Sequence, residues 1–303
     1  MRPTWESLPR DVRMAVEQLI GFAVVAADSR NEGFSPGVAA AVTGPAGQLA
    51  FVKAVSSQAN PRSPELHRAE AVVTRLLPVS LGAPALIGVY DDGTWVALVL
   101  EHVAGHVPAR PWMARELDAV VDALDRLSQM AAPAGLPRAR EALAAEFGGW
   151  ARLAGSAVPL SDWETRHLPR LVELEAGWPT ALDGDRLLHL DARADNLLIA
   201  PDGHAVLLDW PWAASGAAVM DVVGFVPDAV LRGAPSADAL LLRTAAGRAA
   251  DARQVDVLVC AFAGLMAWVH RLPPQPSMER VRAAQKDQWT ASLAWLQHRT
   301  GWL

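Results

Sequence analysis

Residues 187–210 read LLHLDARADNLLIAPDGHAVLLDW, and this stretch constrains the fold more than any other. Within it, residues 197–199 and 205–208 are short apolar runs, and residues 201–203 (Pro-Asp-Gly) between them have the composition of a tight turn. Two such runs joined by a turn form a β-hairpin. The stretch therefore predicts a polar loop, then a hairpin, then an Asp-Trp pair that leaves the second strand.

Three polar side chains flank this hairpin: Asp191 and Asn196 precede it, and Asp209 follows it. Because a hairpin turns the chain back on itself, we expect the three side chains to converge on one point. Phosphoryl transfer uses such a set, in which one carboxylate accepts the proton of the attacking hydroxyl. An amide and a second carboxylate hold Mg²⁺ against the phosphates. The stretch thus carries the residue types needed to transfer phosphate from a nucleotide.

The same segment resembles the catalytic and metal loops of the aminoglycoside phosphotransferase family, which are small-molecule relatives of protein kinases. In that family H-x-D-x-x-x-x-N precedes an Asp-Trp pair, as it does here. The resemblance implies that Asp191 is the catalytic base and that Asn196 and Asp209 are ligands of Mg²⁺. It also implies that His189 braces the loop.

Lys53 is a second informative residue, because only it and Lys286 are lysines among 27 Lys and Arg residues. It lies inside the apolar run of residues 49–55. Such a lysine either points to solvent from an edge strand or offers a compact charge to a phosphate. In the resembled fold this lysine binds nucleotide phosphates and pairs with a glutamate of the next helix. That implies Glu70 as its partner, with Glu65 as the second option.

Two further segments are implied to contact the nucleotide. The loop in residues 31–40 (NEGFSPGVAA) has small residues that let backbone N–H groups approach anionic oxygens. The resemblance makes Ser35 and Gly37 its phosphate contacts. Residues 99–105 (VLEHVAG) match the connector between the two lobes of the resembled fold. The extended backbone of this connector suits hydrogen bonds to the edge of an adenine ring. Glu101 and Val103 are the residues predicted to bind there.

Arg193 follows the implied base by two residues, where protein kinases carry a lysine that contacts the transferred phosphate. Its guanidinium fork suits the charge that develops on the equatorial oxygens. The alternative is that Arg193 pairs with Asp195 or another local acid and only braces the loop. Both interpretations stay open on the sequence. Asp221, about a dozen residues after the Asp-Trp pair, is predicted to brace the loop and the start of a helix.

The whole pattern predicts an α+β, bilobal fold of the protein-kinase type. Residues 1–102 are predicted to form a small nucleotide-binding lobe with an antiparallel sheet. Residues 103–303 are predicted to form a larger, mostly helical lobe with the catalytic loop and the acceptor site. Strands are expected near residues 22–28, 37–43, 48–55, 85–90 and 94–101. Helices are expected at residues 7–20, 64–77, 110–131, 138–153, 161–176, 217–230, 236–249, 251–271 and 277–299.

Composition excludes several other classes of protein. The formal net charge is −6 and no long basic run occurs, so neither nucleic acid nor an anionic membrane surface is expected as a partner. The single cysteine, Cys260, excludes an internal disulfide and fits a reducing cytoplasm. Residues 1–13 lack the apolar segment of a signal peptide. Asp256 and Glu17 interrupt the longest apolar stretches, which predicts that none spans a bilayer.

The acceptor is the least constrained part of the prediction. Residues 231–303 hold five acids against nine Arg and Lys residues, which argues against a strongly cationic acceptor. Acids earlier in the helical part remain candidates for the acceptor side: Glu141, Glu146, Asp162, Glu164, Glu173 and Glu175. The tryptophans near the C-terminus either form an aromatic wall for a planar acceptor such as a nucleoside or simply pack in the core. These are Trp268, Trp289 and Trp295.

The predicted function is that of a cytoplasmic, Mg²⁺-dependent kinase that moves the γ-phosphate of ATP or GTP to a hydroxyl of a small molecule. An antibiotic or a related secondary metabolite is the favoured acceptor, with nucleoside and peptide antibiotics among the options. The role would then be resistance or self-protection. One alternative is a metabolic kinase of a sugar, choline or homoserine. The other is a catalytically silent regulator that binds a nucleotide.

Overall fold

The computed structural model describes residues 3–30, 35–274 and 279–302. An antiparallel sheet of five strands in the N-terminal part is followed by a larger, mainly helical part. The predicted α+β class with a small sheet lobe and a larger helical lobe is therefore confirmed. The division between residues 102 and 103 stays a prediction.

The N-terminal sheet has the strand order β1-β2-β3-β5-β4, and every neighbouring pair is antiparallel. Its strands are β1 (Ala26–Ser29), β2 (Val38–Thr43), β3 (Leu49–Ser56), β4 (Leu86–Asp91) and β5 (Trp95–Leu100). Helix α1 (Arg10–Ile20) and helix α2 (Ser63–Leu76) accompany it. Strand β3 lies in the middle of the sheet, so the interpretation of Lys53 as a residue of an edge strand is wrong.

The alternation of side chains along β3 decides which way Lys53 points. Val52 and Ala54 are fully buried in an apolar cluster with Val12 and Val16 of α1. Since successive residues of a strand face opposite sides, Lys53 lies on the other face, toward α2 and the helical part of the chain. The sheet therefore uses one face for its own core and presents the lysine on the other.

The helical part contains ten further helices among the described residues. They are α3 (Ala114–Gln129), α4 (Ala139–Ala142), α5 (Gly149–Ala154), α6 (Asp162–Glu175), α7 (Trp178–Ala181), α8 (Val219–Leu231), α9 (Ala237–Arg243), α10 (Ala245–Ala249), α11 (Ala252–Val269) and α12 (Glu279–Thr300). Helices α5, α6, α8 and α12 pack around α11, which is the central helix of the larger core.

Two predicted helices are wrong in extent, because each is broken in the middle. The helix expected over residues 138–153 becomes α4 and α5, and Gly148 between them has a left-handed backbone with φ 90°. The helix expected over residues 236–249 becomes α9 and α10. Thr244 separates these two in an extended conformation, and its side chain caps α10 by accepting a hydrogen bond from the Gly247 N–H group.

The predicted hairpin is present as β7 (Leu197–Ile199) and β8 (Ala205–Leu207), which pair with each other. A second pair, β6 (Arg186–Leu188) with β9 (Ala214–Gly216), is not predicted by the sequence pattern. Strands of three residues are too short to show an alternation of apolar and polar side chains. The loop with Asp191 and Asn196 lies between β6 and β7, and Asp209 lies between β8 and β9.

Helix α11 is longer and more apolar than the sequence argument about membrane spans allows. By length and composition alone its 18 residues, with a mean hydropathy of 1.4, are sufficient to cross a membrane, in spite of Asp256. However, 61% of this window is buried inside the protein, and Cys260 is fully buried within it. Burial in the core accounts for the apolar composition of the helix, as for the central helix of a globular domain.

Candidate active site

His189 fixes the start of the catalytic loop. Its ring is fully buried; Nε2 lies 2.8 Å from the carbonyl oxygen of Leu208, and the Asp191 N–H group donates to Nδ1 at 3.2 Å. Burial lowers the pKa of His189 to about 4, so the ring is neutral near pH 7. A neutral ring with its proton on Nε2 satisfies both contacts. The side chain thus ties the loop to the end of β8, as the resemblance implies.

Asp221, in the first turn of α8, braces the same loop from the other side. Its two carboxylate oxygens accept hydrogen bonds from the N–H groups of His189 at 2.8 Å and Leu190 at 2.7 Å. Leu190 has a positive φ of 63°, a backbone conformation that costs a branched residue about 1–3 kcal/mol. The two hydrogen bonds hold the chain in this conformation. The prediction that Asp221 is a structural brace is confirmed.

The loop then brings Asp191 and Asn196 into contact. The Asn196 Nδ2 group donates to both the backbone oxygen and the Oδ2 oxygen of Asp191, each at 2.9 Å. Both amide protons are therefore used, which leaves Oδ1 of Asn196 to serve as a ligand. Burial raises the pKa of Asp191 to about 6, although Arg193 acts to lower it. A carboxylate with this pKa is largely ionised at pH 7 and suits a general base.

Arg193 lies against the acids of the loop. Its Nε atom is 3.1 Å from Oδ1 of Asp191, and an Nη atom is 3.3 Å from Oδ2 of Asp195. Its side chain is 20% exposed, and the residue lines the cavity described below. The arrangement fits both interpretations that the sequence leaves open, a contact to phosphate and a brace of the loop. The role of Arg193 stays a prediction.

Lys53 joins the sheet to the helical part of the chain. Its ammonium lies 2.6 Å from Oε1 of Glu70 on α2 and 2.9 Å from Oδ1 of Asp209. Glu70 is therefore the partner, whereas Glu65 is exposed to solvent. Burial alone would raise the pKa of Asp209, but the nearby ammonium outweighs it and lowers that pKa to about 2. Burial raises the pKa of Glu70, whose side chain is almost fully enclosed.

The two residues of the Asp-Trp pair differ in their surroundings. Trp210 is anchored in the core, and Asp209 lines the cleft. Trp210 is buried, its indole N–H donates to Leu207 O at 3.0 Å, and its ring packs edge-on against His189 at 4.4 Å. Asp209 has a positive φ of 65°, and its side chain is 44% exposed. The anchored tryptophan and the strained backbone together turn the aspartate into the cleft.

The side-chain oxygens of Asn196 and Asp209 fit a magnesium ion. Mg²⁺ is commonly held by one or two protein oxygens, with substrate phosphates and waters completing the octahedron. Asn196 Oδ1 and Asp209 Oδ2 supply such a pair. Among the residues that the structure describes, no cluster of three or more His, Cys, Asp or Glu side chains is arranged to bind a metal. Two protein oxygens suit a metal whose other ligands are phosphate oxygens and waters.

A cavity of about 410 Å³ lies between the sheet and the helical part. Nine of the ten site residues predicted from the sequence line it: Ser35, Lys53, Glu70, Glu101, Val103, Asp191, Arg193, Asn196 and Asp209. The tenth, Gly37, lies behind the lining, against β3. A Cβ atom there would meet the carbonyl oxygen of Ala54 at 2.4 Å, so close packing explains this glycine. Residues 31–34 of the predicted phosphate loop lie outside the described residues.

The connector at the back of the cavity is held at both ends. Glu101 exchanges two hydrogen bonds with Ala85, through its backbone N–H at 2.9 Å and through its side chain at 3.2 Å. His106 and Ile199 of β7 exchange two backbone hydrogen bonds, at 3.1 and 2.8 Å. Gly105 between them passes so close to Ile199 that a Cβ atom would lie 2.6 Å from its oxygen. These contacts present the extended backbone near Val103 to the cavity.

A second cavity, of about 220 Å³, also has Asp191 in its lining. Trp212 and Gln285 line both cavities, and nothing local in the sequence identifies either residue as part of the site. The tryptophans proposed as an aromatic wall are absent from both linings in the described part of the chain. Trp268, Trp289 and Trp295 pack with the large core instead. The interpretation of these tryptophans as core residues is therefore the better one.

Comparison with known proteins identifies the family to which the chain belongs. A model of the phosphotransferase enzyme family, abbreviated APH, matches residues 31–249. The chain belongs to this phosphotransferase family. No curated protein matches the chain in sequence.

Solved structures share the fold across nearly the whole chain. Choline kinase LicA from Streptococcus pneumoniae has 11% sequence identity and a TM-score of 0.64, over 95% of this chain and 98% of that chain. An aminoglycoside phosphotransferase from Alicyclobacillus acidocaldarius has 14% identity and a TM-score of 0.57, over 98% and 97%. A thermostable mutant of APH(4)-Ia, in a ternary complex with ADP and hygromycin B, has 13% identity and a TM-score of 0.54, over 95% and 96%. At these identities the likeness establishes the kinase-like fold of the family.

Proposed function

We propose that this member of the phosphotransferase family transfers the γ-phosphate of ATP, or of GTP, to a hydroxyl group of a small molecule. The observation that carries the proposal is the convergence of Asp191, Asn196, Asp209 and Lys53 on one cavity. A protein that only binds a nucleotide needs the lysine and the metal ligands. It has no physical need for a partly buried carboxylate beside them. The catalytically silent alternative leaves Asp191 without a purpose.

Each group has a defined part in that reaction. Asp191 accepts the proton of the acceptor hydroxyl, and the Asn196 amide holds its carboxylate in place through Oδ2. Lys53 supplies a positive charge to the phosphates and is itself oriented by Glu70. Asn196 and Asp209 hold Mg²⁺, which supplies positive charge against the phosphate oxygens when it is bound. Ser35 and the backbone at Glu101 and Val103 complete the nucleotide site.

We also propose an acceptor class and a biological role for this reaction. An antibiotic or related secondary metabolite is the acceptor that we favour, in the cytoplasm, with resistance or self-protection as the role. Antibiotic kinases and a choline kinase share the fold, so the fold does not choose between these acceptors. A metabolic kinase of a sugar, choline or homoserine is the competing proposal.

The test is a phosphate-transfer assay with Asp191→Ala as the diagnostic variant. Purified protein with Mg-ATP is incubated with panels of antibiotics and of metabolic alcohols, and the phosphorylated product is identified by mass spectrometry. We expect Asp191→Ala to bind Mg-ATP normally while its turnover falls by roughly 100-fold or more, the usual scale for a general base. Asp122→Ala, a change at an exposed residue of α3, is the control. Wild-type turnover in the Asp191 variant would exclude this residue as the base.

A further inference from the structure

We propose that the acceptor is an uncharged, mostly apolar alcohol that binds in the second cavity with its hydroxyl toward Asp191. This inference rests on the proposed function, because it names the acceptor of that reaction. The two cavities share Asp191, Arg193, Trp212 and Gln285 in their linings. A phosphate in the first cavity and a hydroxyl in the second would therefore both lie next to the same carboxylate. In-line transfer places the attacking hydroxyl opposite the leaving oxygen of the phosphate, with the base beside the hydroxyl.

The walls of the second cavity are largely apolar. Helix α11 presents four side chains and α8 presents Met220 together with a bare backbone at Gly224. The α11 side chains are Phe262, Leu265, Met266 and Val269. These residues remove apolar ligand surface from water, which stabilises the bound state. The two methionines have flexible side chains that adapt to an irregular ligand.

The carboxylates of the second cavity are already engaged. Both oxygens of Asp221 accept backbone hydrogen bonds, and Glu146 lies 3.6 Å from the guanidinium of Arg62. Asp191 pairs with Arg193, which adds a positive charge to the lining. Of the other acids that the sequence analysis considers for the acceptor side, none lines this cavity in the described residues. An ammonium group would therefore meet a cation and no carboxylate without a partner.

Gln288 offers a neutral polar anchor in this lining. The residue is 7% exposed and lines the second cavity, and none of the described residues forms a hydrogen bond with its side chain. Its amide is therefore available to a ligand in the cavity. An amide is neutral, and it can both donate and accept. It therefore suits a second hydroxyl, a carbonyl or an ether oxygen of the acceptor.

The size of the cavity limits the part of the acceptor that it encloses. Its volume of about 220 Å³ is smaller than the roughly 300–1,000 Å³ of pockets that enclose a drug-sized ligand. The hydroxyl-bearing part of the acceptor is therefore compact. A larger apolar metabolite would insert one arm and leave the remainder outside.

The test compares acceptors of equal shape and different charge. Choline and its carbon isostere dimethylbutanol differ only in the replacement of the quaternary nitrogen by carbon. Borneol and menthol extend the neutral set, and hygromycin B extends the cationic set. Phosphate transfer from Mg-ATP is measured for each compound with the full chain. We expect kcat/KM for dimethylbutanol to exceed that for choline by at least tenfold, and the best neutral acceptor to exceed hygromycin B.

Variants of the cavity provide a readout that does not depend on catalysis. Gly224 is a helical residue, and a Cβ atom built there meets no atom within 4 Å, so a larger side chain can enter the cavity without displacing protein. We expect Gly224→Leu to abolish the rise in melting temperature that borneol produces, while the rise produced by Mg-ADP is kept.

Gln288→Leu should reduce kcat/KM for acceptors with a second oxygen by about tenfold or more, while Gln297→Leu, the same change elsewhere on α12, should not.

The outcomes separate the inference from the function on which it rests. Transfer to choline or hygromycin B that equals or exceeds transfer to every neutral alcohol would overturn the inference and leave the kinase function standing. A borneol-induced rise in melting temperature that persists in Gly224→Leu would overturn the proposed location. Absence of transfer to every compound, with intact Mg-ADP binding, would overturn the proposed function and the inference together.

Discussion

Asp191 is the proposed catalytic base, and its neighbours act on its pKa in opposite directions. Burial raises that pKa to about 6, and the nearby Asp209 also raises it, whereas the Arg193 guanidinium lowers it. The Asn196 amide fixes the Oδ2 oxygen at 2.9 Å. A base of this kind is ionised near neutrality and still binds a proton well enough to accept one.

The acid limb of the pH profile follows from this pKa. Asp191 works as a base only when it is deprotonated, so kcat/KM should fall about tenfold for each pH unit below about 6 and level off above it. The measurement is kcat/KM from pH 5 to 8 with saturating nucleotide. A profile that stays flat down to pH 5, with the protein still folded by circular dichroism, would contradict the assignment of the base.

Arg193 offers the second prediction at this scale. If it contacts the transferred phosphate, Arg193→Ala should cost up to roughly 4 kcal/mol of transition-state stabilisation with little change in melting temperature. It should also move the acid limb to higher pH, because a cation that lowers the pKa of Asp191 is removed. Arg193→Lys should keep measurable activity, since a positive charge remains.

The structural alternative for Arg193 predicts a different set of results. If the guanidinium only braces the loop through Asp195, both substitutions should lower the melting temperature, and Asp195→Ala should reproduce the defect. An alanine variant that is thermally weakened, yet has normal turnover at low temperature, would exclude the contact with phosphate. The comparison needs turnover and melting temperature for the same three variants.

At the scale of elements, the close packing of α5 on α11 shapes the core next to the site. A Cβ atom on Gly149 would lie 1.9 Å from the backbone oxygen of Gly264, so only glycine allows the two helices to approach. Buried Glu175 of α6 reaches the same junction, where its carboxylate accepts hydrogen bonds from the N–H groups of Trp150 and Ala151. Three helices thus meet at one junction, α5 and α11 through their backbones and α6 through the Glu175 side chain.

Two glycine-to-alanine changes test this packing as a matched pair. Gly149→Ala forces α5 away from α11, and we expect the free energy of unfolding to fall by about 1–3 kcal/mol, the scale of an overpacked core. Gly224→Ala adds the same methyl group to α8 in open space and should increase stability by about 0.5–1 kcal/mol. Urea unfolding of both variants is the measurement. Equal effects of the two changes would show that the junction is not tightly packed.

At the scale of the whole molecule, Lys53 and Asp209 connect the sheet to the helical part across the nucleotide cavity. The ammonium on β3 lies between Glu70 on α2 and Asp209, which follows β8. One cation therefore joins β3, α2 and the segment after β8. Bound phosphates and Mg²⁺ would meet these same groups. Nucleotide binding and the relative position of the two parts are therefore expected to depend on each other.

Melting temperatures with and without Mg-ADP test that dependence. A ligand at about 100 times its Kd stabilises the folded protein by about 2.7 kcal/mol. We expect Lys53→Ala to lose most of the rise in melting temperature produced by Mg-ADP, relative to its own ligand-free value. Asp209→Asn should lose the part that depends on magnesium, and excess magnesium should restore some of it. Lys286→Ala, which removes the other, exposed lysine, is the control. An unchanged rise in both site variants would contradict the assignments.

Local sequence was sufficient to predict the catalytic hairpin. Asp191, Asn196 and Asp209 lie within 19 consecutive residues, and a Pro-Asp-Gly turn between two apolar runs leaves few ways to fold them. The same locality made the strand around Lys53 and the helix with Glu70 predictable. Local sequence was not sufficient where a helical pattern is interrupted, as between α4 and α5 or at Thr244, because the residues on both sides have a pattern that is typical of a helix.

Only the tertiary structure decided what surrounds these groups. The hydrogen bond between Lys53 and Asp209 joins residues 156 positions apart, and no local pattern encodes such a distance. The second cavity is formed by side chains of α8, α11 and α12 that meet the loop from separate parts of the chain. A periodic pattern identifies which face of a helix is apolar. It does not tell whether that face packs against another helix or lines a cavity, because that depends on how closely the neighbouring elements approach.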